Sequence, residues 1–212
     1  MMGYDIEDLP SSDIKTRMLE DSIKINEGIN RIANIVESMR EISQSSSETK
    51  ERVNIYSTLV TALTMAYNRS KQICKITLQG KEFDIDKIEK NRFEYLSQVQ
   101  KQRVEQVWII IVNNALDELI KIDDYDKREL IIDIEEKYNQ YHIKFKDNAG
   151  GIKEDILTNI FDPFISSKEH SGMGVGLNIA KRIIEQQDGE IKAYNENSGA
   201  VFEVILRKFK EN

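Results

Sequence analysis

This sequence predicts an α+β fold: a two-layer α/β sandwich whose mixed sheet is covered by helices on one face, preceded by a long coiled-coil-like helix. Three observations predict it. Strand-like and helix-like apolar periods are interspersed after residue 50, an alternating three-and-four apolar spacing runs from residue 18 to 39, and a serine-rich stretch separates the two regions.

Pro10 precedes Ser11, Ser12 and Asp13, whose side-chain oxygens suit an N-cap, so a helix is expected from residue 14. Met18, Ser22, Ile25, Ile29, Ile32, Val36 and Met39 form the a/d seam of a coiled coil or helical bundle. Leu19 and Ile35 widen that stripe, as a helix packed on its own domain would also show. Gln44, Ser45, Ser46, Ser47, Glu48 and Thr49 lack apolar residues, which places a domain boundary between 1–46 and 47–212. Beyond it, residues 53–56 read as a short strand, 57–71 as an amphipathic helix, 73–78 as an alternating strand and 81–99 as irregular. Residues 103–120 carry an apolar-periodic run too long for a strand, hence a buried helix. Residues 130–135 and 141–146 alternate as paired strands around a turn at Tyr138, Asn139 and Gln140. After a glycine-rich region, 175–187 is helical and stops at Gly189, and 190–195 with 200–208 makes a terminal hairpin.

Composition removes several function classes. The 212 residues are 40% hydrophobic, enough for one or two domains with real cores, and carry 30 Lys and Arg against 37 Asp and Glu, a net charge of −7. That balance argues against DNA or RNA as a partner, because phosphate-backbone affinity rests on clustered cations. The longest apolar run, 107–112, falls far short of the roughly 18 residues a spanning helix needs, so no membrane contact is expected within the chain. Asp5, Glu7 and Asp8 stand where a secretory leader would be positively charged, so no signal peptide is expected. The single cysteine, Cys74, excludes an internal disulfide and a Cys-based zinc site, and points to a reducing cytoplasm. The two histidines, His142 and His170, lie too far apart in sequence to form a His-based metal cluster.

Three polar clusters interrupt these apolar elements. Asn113 and Asn114 sit inside the buried helix, with Asp117 and Glu118 three and four residues after Asn114 and therefore on its face. An amide there either caps a neighbour or offers its oxygen to Mg²⁺, which takes hard oxygen donors beside phosphates. Asp147, Asn148, Ala149, Gly150 and Gly151 follow a strand: a plain tight turn, or a carboxylate accepting from an exocyclic amine beside a backbone that a ligand can approach. Gly172, Met173, Gly174, Val175, Gly176 and Leu177 run into a helix, where free N–H groups and the helix dipole suit an anion, although flexible loops use the same residues. No strand leads directly into that turn, which disfavours a dinucleotide-binding βαβ unit.

Taken in order, these clusters resemble the ATP-binding domain of sensor histidine kinases, within the gyrase, Hsp90, histidine kinase and MutL superfamily. Residues 104–118, ending Val112-Asn113-Asn114-Ala115-Leu116-Asp117-Glu118, resemble its N box, and Asp147-Asn148-Ala149-Gly150-Gly151-Ile152 its G1 box. Ile160-Phe161-Asp162-Pro163-Phe164-Ile165-Ser166-Ser167-Lys168 resembles the F box, and residues 172–177 the G2 box. The resemblance covers residue 53 to the C-terminus, and the N-terminal helix is similar to the second helix of the family's dimerisation hairpin. It implies a Bergerat-type ATP-binding fold with ATP and Mg²⁺ as cofactors. Asn114 would then coordinate Mg²⁺ with Asp117 near it, Asp147 would bind the adenine amine, and Gly151 and Ile152 would let the base approach. Phe161 to Met173 would form a mobile lid, and Gly172, Met173, Gly174, Val175, Gly176 and Leu177 would line the nucleotide. Lys168 is either a solvated cation or a partner for the γ-phosphate, and His170 is expected to be an exposed lid residue.

Two departures accompany the resemblance. Ile110 stands where the family often has a second Asn, one helical turn before the Mg²⁺ ligand, and Ala149 replaces a usual Gly, which is tolerable at negative φ. The family's phosphoacceptor is a His on the first hairpin helix, but no His precedes residue 142, and His142 is expected too near the base edge to serve. The expectation is therefore a fragment that begins after the acceptor and binds ATP without phosphorylating itself. The implied activity is that of a protein-histidine kinase in a two-component system, with a response-regulator receiver domain and a second copy of the chain as partners. Two alternatives remain: a serine kinase of the anti-sigma-factor type, disfavoured by the helix over 14–42, and a non-catalytic nucleotide-binding dimerisation module, favoured if Ile110 prevents productive metal binding.

Overall fold

The computed structural model describes residues 17, 18, 21, 22, 25, 49–165 and 174–210. The chain divides into two units, Met1–Ser45 and Ser46–Asn212. In the first, Arg17, Met18, Asp21, Ser22 and Ile25 are helical, and Met18 and Ile25 are exposed. Leu19 and the seam positions Ile29, Ile32, Val36 and Met39, like Ile35, lie outside the described residues.

The second unit opens with β1 (Glu51–Asn54) and α1 (Ile55–Ser70). A strand was expected over 53–56, but Asn54 ends it early. Its side-chain oxygen accepts the Tyr56 N–H at 3.2 Å, an N-cap that turns Ile55 and Tyr56 into the first helical turn. Then follow β2 (Lys75–Leu78), β3 (Lys81–Glu82), β4 (Leu96–Val99), α2 (Lys101–Leu119), β5 (Glu129–Lys137), β6 (Gln140–Asp147), a single turn α3 (Glu154–Leu157), α4 (Gly176–Gln186), β7 (Glu190–Glu196) and β8 (Gly199–Arg207). The stretch 81–99 is thus not wholly irregular. Gln79 and Gly80, both at positive φ, fold β3 back on β2, and β4 pairs antiparallel with β1. β4 escapes the apolar pattern because one of its inward residues is Ser97, whose hydroxyl donates to the Arg207 carbonyl at 2.7 Å.

Six strands form one sheet in the order β3-β2-β5-β6-β8-β7, and β1 with β4 forms a separate two-stranded sheet. β2 and β5 run parallel and the other neighbours antiparallel, which makes the large sheet mixed. The core sits between this sheet and helices α1, α2 and α4, with α2 in the middle of the helical layer. β6 records the two faces in its alternation: Tyr141, Ile143 and Phe145 are buried, whereas His142, Lys144 and Lys146 are only partly so. Trp108 of α2 is fully buried, stacks obliquely on Phe145 with ring centroids 5.5 Å apart, and donates its indole N–H to Thr58 of α1 at 2.9 Å. One residue thereby ties both helices to the sheet. At the other end of α2, the Gln100 N–H donates to the Gln187 side chain at 2.8 Å and the Gln187 amide donates back at 3.0 Å, which fixes the end of α4 against the start of α2.

Candidate functional site

Asp147 takes the next inward position of β6 after Phe145, so the core face of the strand ends on a carboxylate. It is 9% exposed, and its Oδ1 accepts the N–H groups of Ala149 at 2.9 Å and Ala200 at 3.4 Å. Burial holds its pKa above the usual carboxylate range; the two N–H donors oppose that rise and the charge of Glu118 adds to it. A carboxylate so far removed from water is a strong acceptor for a ligand N–H. Its neighbour Asn148 turns away, accepting from Glu129 N–H and donating to the Lys127 carbonyl, and so secures the loop before β5. Ala149 is not among the residues with positive φ, so its side chain is accommodated. Gly150 and Gly151 do have positive φ, +91° and +81°.

On α2, the two adjacent amides part company. Arg69 of α1 donates to Asn113 Oδ1 at 2.6 Å and to the Asp117 carboxylate, one helical turn further on. Asn113 and Asp117 therefore face α1. Ile110, Asn114 and Glu118, spaced by four, form a second stripe. Ile110 lies 3.4 Å from where a Cβ on Gly176 would stand, and Glu118 acts on Asp147. Asn114 is half-buried, one helical turn from each, and makes no side-chain hydrogen bond among the described residues. Asp117, expected beside the nucleotide, is thus engaged by Arg69, and Glu118 is the acidic residue coupled to Asp147.

At the other end of that stripe, α4 starts at Gly176 with Val175 as its N-cap residue, with no side-chain cap and no acidic residue in the first turn. Its leading N–H groups and the positive end of its dipole suit an anion. Gly174 has φ +64°, and a Cβ there would fall 2.2 Å from the Ile165 carbonyl oxygen. The backbone before and after residues 166–173 is joined at this point, since Phe164 N–H donates to the Gly174 carbonyl at 3.0 Å. Phe161, expected to belong to a mobile lid, packs its ring edge-on near Phe202 at 6.4 Å, and its carbonyl accepts from Asn178 of α4 at 2.9 Å. Lys168, His170, Gly172 and Met173 lie outside the described residues. Val175 is buried, and Leu177 and Ile152 pack at the margin of the core.

Four groups at this site lie outside the sequence expectations. Arg69 sits at a helix end where a basic residue is unremarkable in sequence, and Asn178 lies one residue past the glycine cluster. Asn195 and the Ala200 N–H belong to the terminal hairpin, about fifty residues after Asp147, and only tertiary contact brings them to it. His142, expected near the base edge, lies on the opposite face of β6 from Asp147, with its Nδ1 2.9 Å from Glu203. A cleft of about 460 Å³ opens at the far end of the sheet, lined by Lys50, Gln98, Asn139, Gln187, Arg207 and Phe209 among others, and contains none of the expected site residues.

Among the described residues, no group of three or more His, Cys, Asp or Glu is placed to hold a metal ion. A Mg²⁺ ion that takes one protein oxygen, with phosphates and water completing its shell, needs no such group, and the unengaged Asn114 amide fits that donor set. No helix among the described residues is long and apolar enough to cross a membrane.

Comparison with known proteins gives a consistent result. Residues 99–210 match the family model described as histidine kinase-, DNA gyrase B-, and HSP90-like ATPase. The chain is 36% identical over 106 residues to the C4-dicarboxylate transport sensor protein DctB of Rhizobium meliloti, covering 50% of this chain and 16% of that protein. It is 32% identical over 200 residues to the signal transduction histidine-protein kinase ArlS of Staphylococcus aureus, covering 89% of this chain and 41% of that protein. The chain therefore spans less than half the length of these curated relatives. In fold, it superposes on the catalytic domain of histidine kinase ThkA with a TM-score of 0.62 at 21% identity, covering 76% of this chain and 97% of that one. It also superposes on ThkA in its complex with the response regulator protein TrrA, with a TM-score of 0.69 at 20% identity over 95% of this chain and 53% of that one.

Proposed function

The chain belongs to the histidine kinase-, DNA gyrase B-, and HSP90-like ATPase family, and from that membership we propose that it is the catalytic part of a two-component sensor histidine kinase, binding Mg·ATP for transfer of the γ-phosphoryl group to a His on a separate segment. The stripe Ile110, Asn114, Glu118, which runs from the uncapped start of α4 to the buried carboxylate of Asp147, carries this reading. Asp147 accepts the adenine amine, and the leading N–H groups of α4 meet the phosphates. Asn114, between them, holds the metal that neutralises charge on the phosphate oxygens.

Phosphoryl transfer needs positioning and charge neutralisation more than covalent help from the protein. The residues of the chain divide those tasks. Asp147 and the Gly150-Gly151-Ile152 arch fix the base at one end, and α4 turns its dipole toward the triphosphate at the other. Gly174 lets the backbone on either side of residues 166–173 meet before the start of α4, and within that stretch Gly172, Met173 and Lys168 are the residues assigned to the phosphates. Arg69 offsets the charge of Asp117 and keeps Asn113 on the α1 side, leaving Asn114 as the amide that meets the metal. His142 is no acceptor here, because its imidazole is paired with Glu203 on the opposite face of the sheet.

In the full system, the phosphoryl group passes to a response-regulator receiver domain. Two copies associate through the N-terminal seam in the cytoplasm. The seam is testable: Ile29→Asp with Ile32→Asp is expected to give monomers by light scattering, and an unchanged mass would remove the interface. The kinase reading is tested by mixing the chain with Mg·ATP and a separate acceptor-His fragment. Acid-labile phosphohistidine on that fragment is the expected result, and its absence despite measured ATP binding would remove the kinase claim. Ile110 puts an apolar side chain where a second polar group would assist the metal, which favours one rival, a nucleotide-binding module without catalysis. Calorimetry with and without Mg²⁺ separates the two, since the kinase requires metal-coupled affinity and the module does not.

A further inference from the structure

The tip of the β7–β8 hairpin is built against the Asp147 loop more closely than a passive neighbour would be. Asn195 of β7 pairs with Ala200 of β8, and each grips one end of that loop. The Ala200 N–H points at Asp147 Oδ1 at 3.4 Å, where the loop begins. Asn195 holds the other end by both halves of its amide: its Oδ1 accepts the Ile152 N–H at 2.7 Å, and its Nδ2 donates to the Ile152 carbonyl at 2.8 Å. One side chain thus does for Ile152 what a neighbouring strand would do.

Between these two anchors, the Gly150 N–H donates to the Ser198 carbonyl at 3.0 Å. A Cβ on Gly199 would stand 1.8 Å from the Asp147 carbonyl oxygen, and a Cβ on Gly151 would stand 2.8 Å from Asn195 Oδ1. The arch over 150–152 therefore has one seat, and Asn195 sets its outer end. Asn195 is exposed, so its hydrogen bonds compete with water and contribute little to folding.

We infer that Asn195 is a positioning residue that makes the site selective for adenine over guanine, by holding the Gly150-Gly151-Ile152 arch at the distance from Asp147 that one purine fills. The inference rests on the ATP reading above. Adenine presents an amine to the Asp147 carboxylate where guanine presents a carbonyl oxygen, and a site built to accept a hydrogen bond rejects the analogue that cannot donate it. That rejection holds only while the base cannot slide. With Ile152 released, the arch relaxes outward, the amine contact lengthens and guanine finds other seats.

The test measures dissociation constants of ATP and GTP for the whole chain, by calorimetry, in the wild type, Asn195→Ala and the near-isosteric Asn195→Asp. The wild type is expected to prefer ATP. Asn195→Ala should lower ATP affinity about tenfold and shrink the ATP-to-GTP ratio by a similar factor. Asn195→Asp keeps the acceptor for Ile152 N–H but loses the donor to its carbonyl, and should fall between; it also carries the test should the alanine variant fold poorly. An unchanged ratio in the variants, or equal losses for both nucleotides, overturns the inference and leaves the ATP reading standing. A wild type that does not distinguish ATP from GTP overturns the base-binding role of Asp147 and this inference with it.

Discussion

The two faces of the six-stranded sheet are made by the same strands and do opposite things. On the covered face, Leu130, Ile132, Tyr141, Ile143, Phe145, Val204 and Leu206 are buried under the helices, and the row in β6 ends on Asp147. The other face carries charged and polar side chains, Lys144 hydrogen-bonded to Glu135 and His142 to Glu203, beside the buried Val201 and Ile205 of β8. Apolar burial stabilises roughly in proportion to area removed from water, whereas an ion pair open to solvent, such as Lys137 with Glu135, adds little. The candidate site is thus a continuation of the core, one residue beyond its edge, and owes its low polarity to that.

The largest test of this contrast is Trp108→Ala, which removes the side chain joining α1, α2 and β6. A loss of about 3–5 kcal/mol in chemical denaturation is expected, against less than about 1 kcal/mol for Lys137→Ala on the other face, whose side chain is 48% exposed. Comparable losses at both positions would mean that the faces do not differ in the way their burial says. Asp147→Asn should come next. It keeps the shape and the two N–H contacts to Oδ1 while removing the charge, so ATP affinity should fall about tenfold to a hundredfold with no loss of folding stability at neutral pH.

The pH dependence of the same residue sharpens the point. Because burial raises the Asp147 pKa, the carboxylate takes up its proton earlier on acidification than an ordinary aspartate, and ATP affinity should start to decline at a pH above the usual aspartate range. The linkage sign for folding is the reverse: a raised carboxyl pKa favours the folded state at low pH, and that advantage is lost as pH rises through the folded pKa. Calorimetric titration from neutral toward mildly acidic pH should show the decline in the wild type and a flatter profile in Asp147→Asn.

The smallest effect belongs to Glu135, on the other face. Hydrogen bonds from Lys137 and then Lys144 hold its pKa down to about 2. Its contribution to stability is present above the ordinary glutamate range and lost as pH falls from there toward about 2. Glu135→Gln should flatten that acid limb by less than about 1 kcal/mol, because the side chain is 39% exposed and solvent screens the pair. A multi-kcal/mol change would make this face a structural partner of the covered one.

Much of this arrangement is legible in the sequence, for definite reasons. α2 is announced by a nineteen-residue helix's worth of apolar period, and β5 with β6 by strict alternation, because one-sided burial imposes a repeat of 3.6 or 2 on the residue order. The four motifs are legible because each clusters its polar and glycine residues locally. β3 is missed because two residues are too few to establish a period, and β4 because Ser97 takes one of its inward positions. The β1 boundary is misplaced because an apolar pair, Ile55 and Tyr56, fits a strand as well as a capped helix until Asn54 is seen to cap it.

The sequence alone determined the fold class, the order of the longer elements and the identity of Asn114, Asp147 and the glycine turns as candidates, because these depend on chemistry repeated or concentrated along the chain. Only the tertiary structure decided which neighbour each polar group would serve. Arg69 takes Asn113 and Asp117 and leaves Asn114, and Asn195 reaches Ile152 from a different hairpin. Such pairings join residues more than forty positions apart, and nothing in the local sequence encodes them: they exist only once the packing of helices on the sheet has brought the partners within about 3 Å.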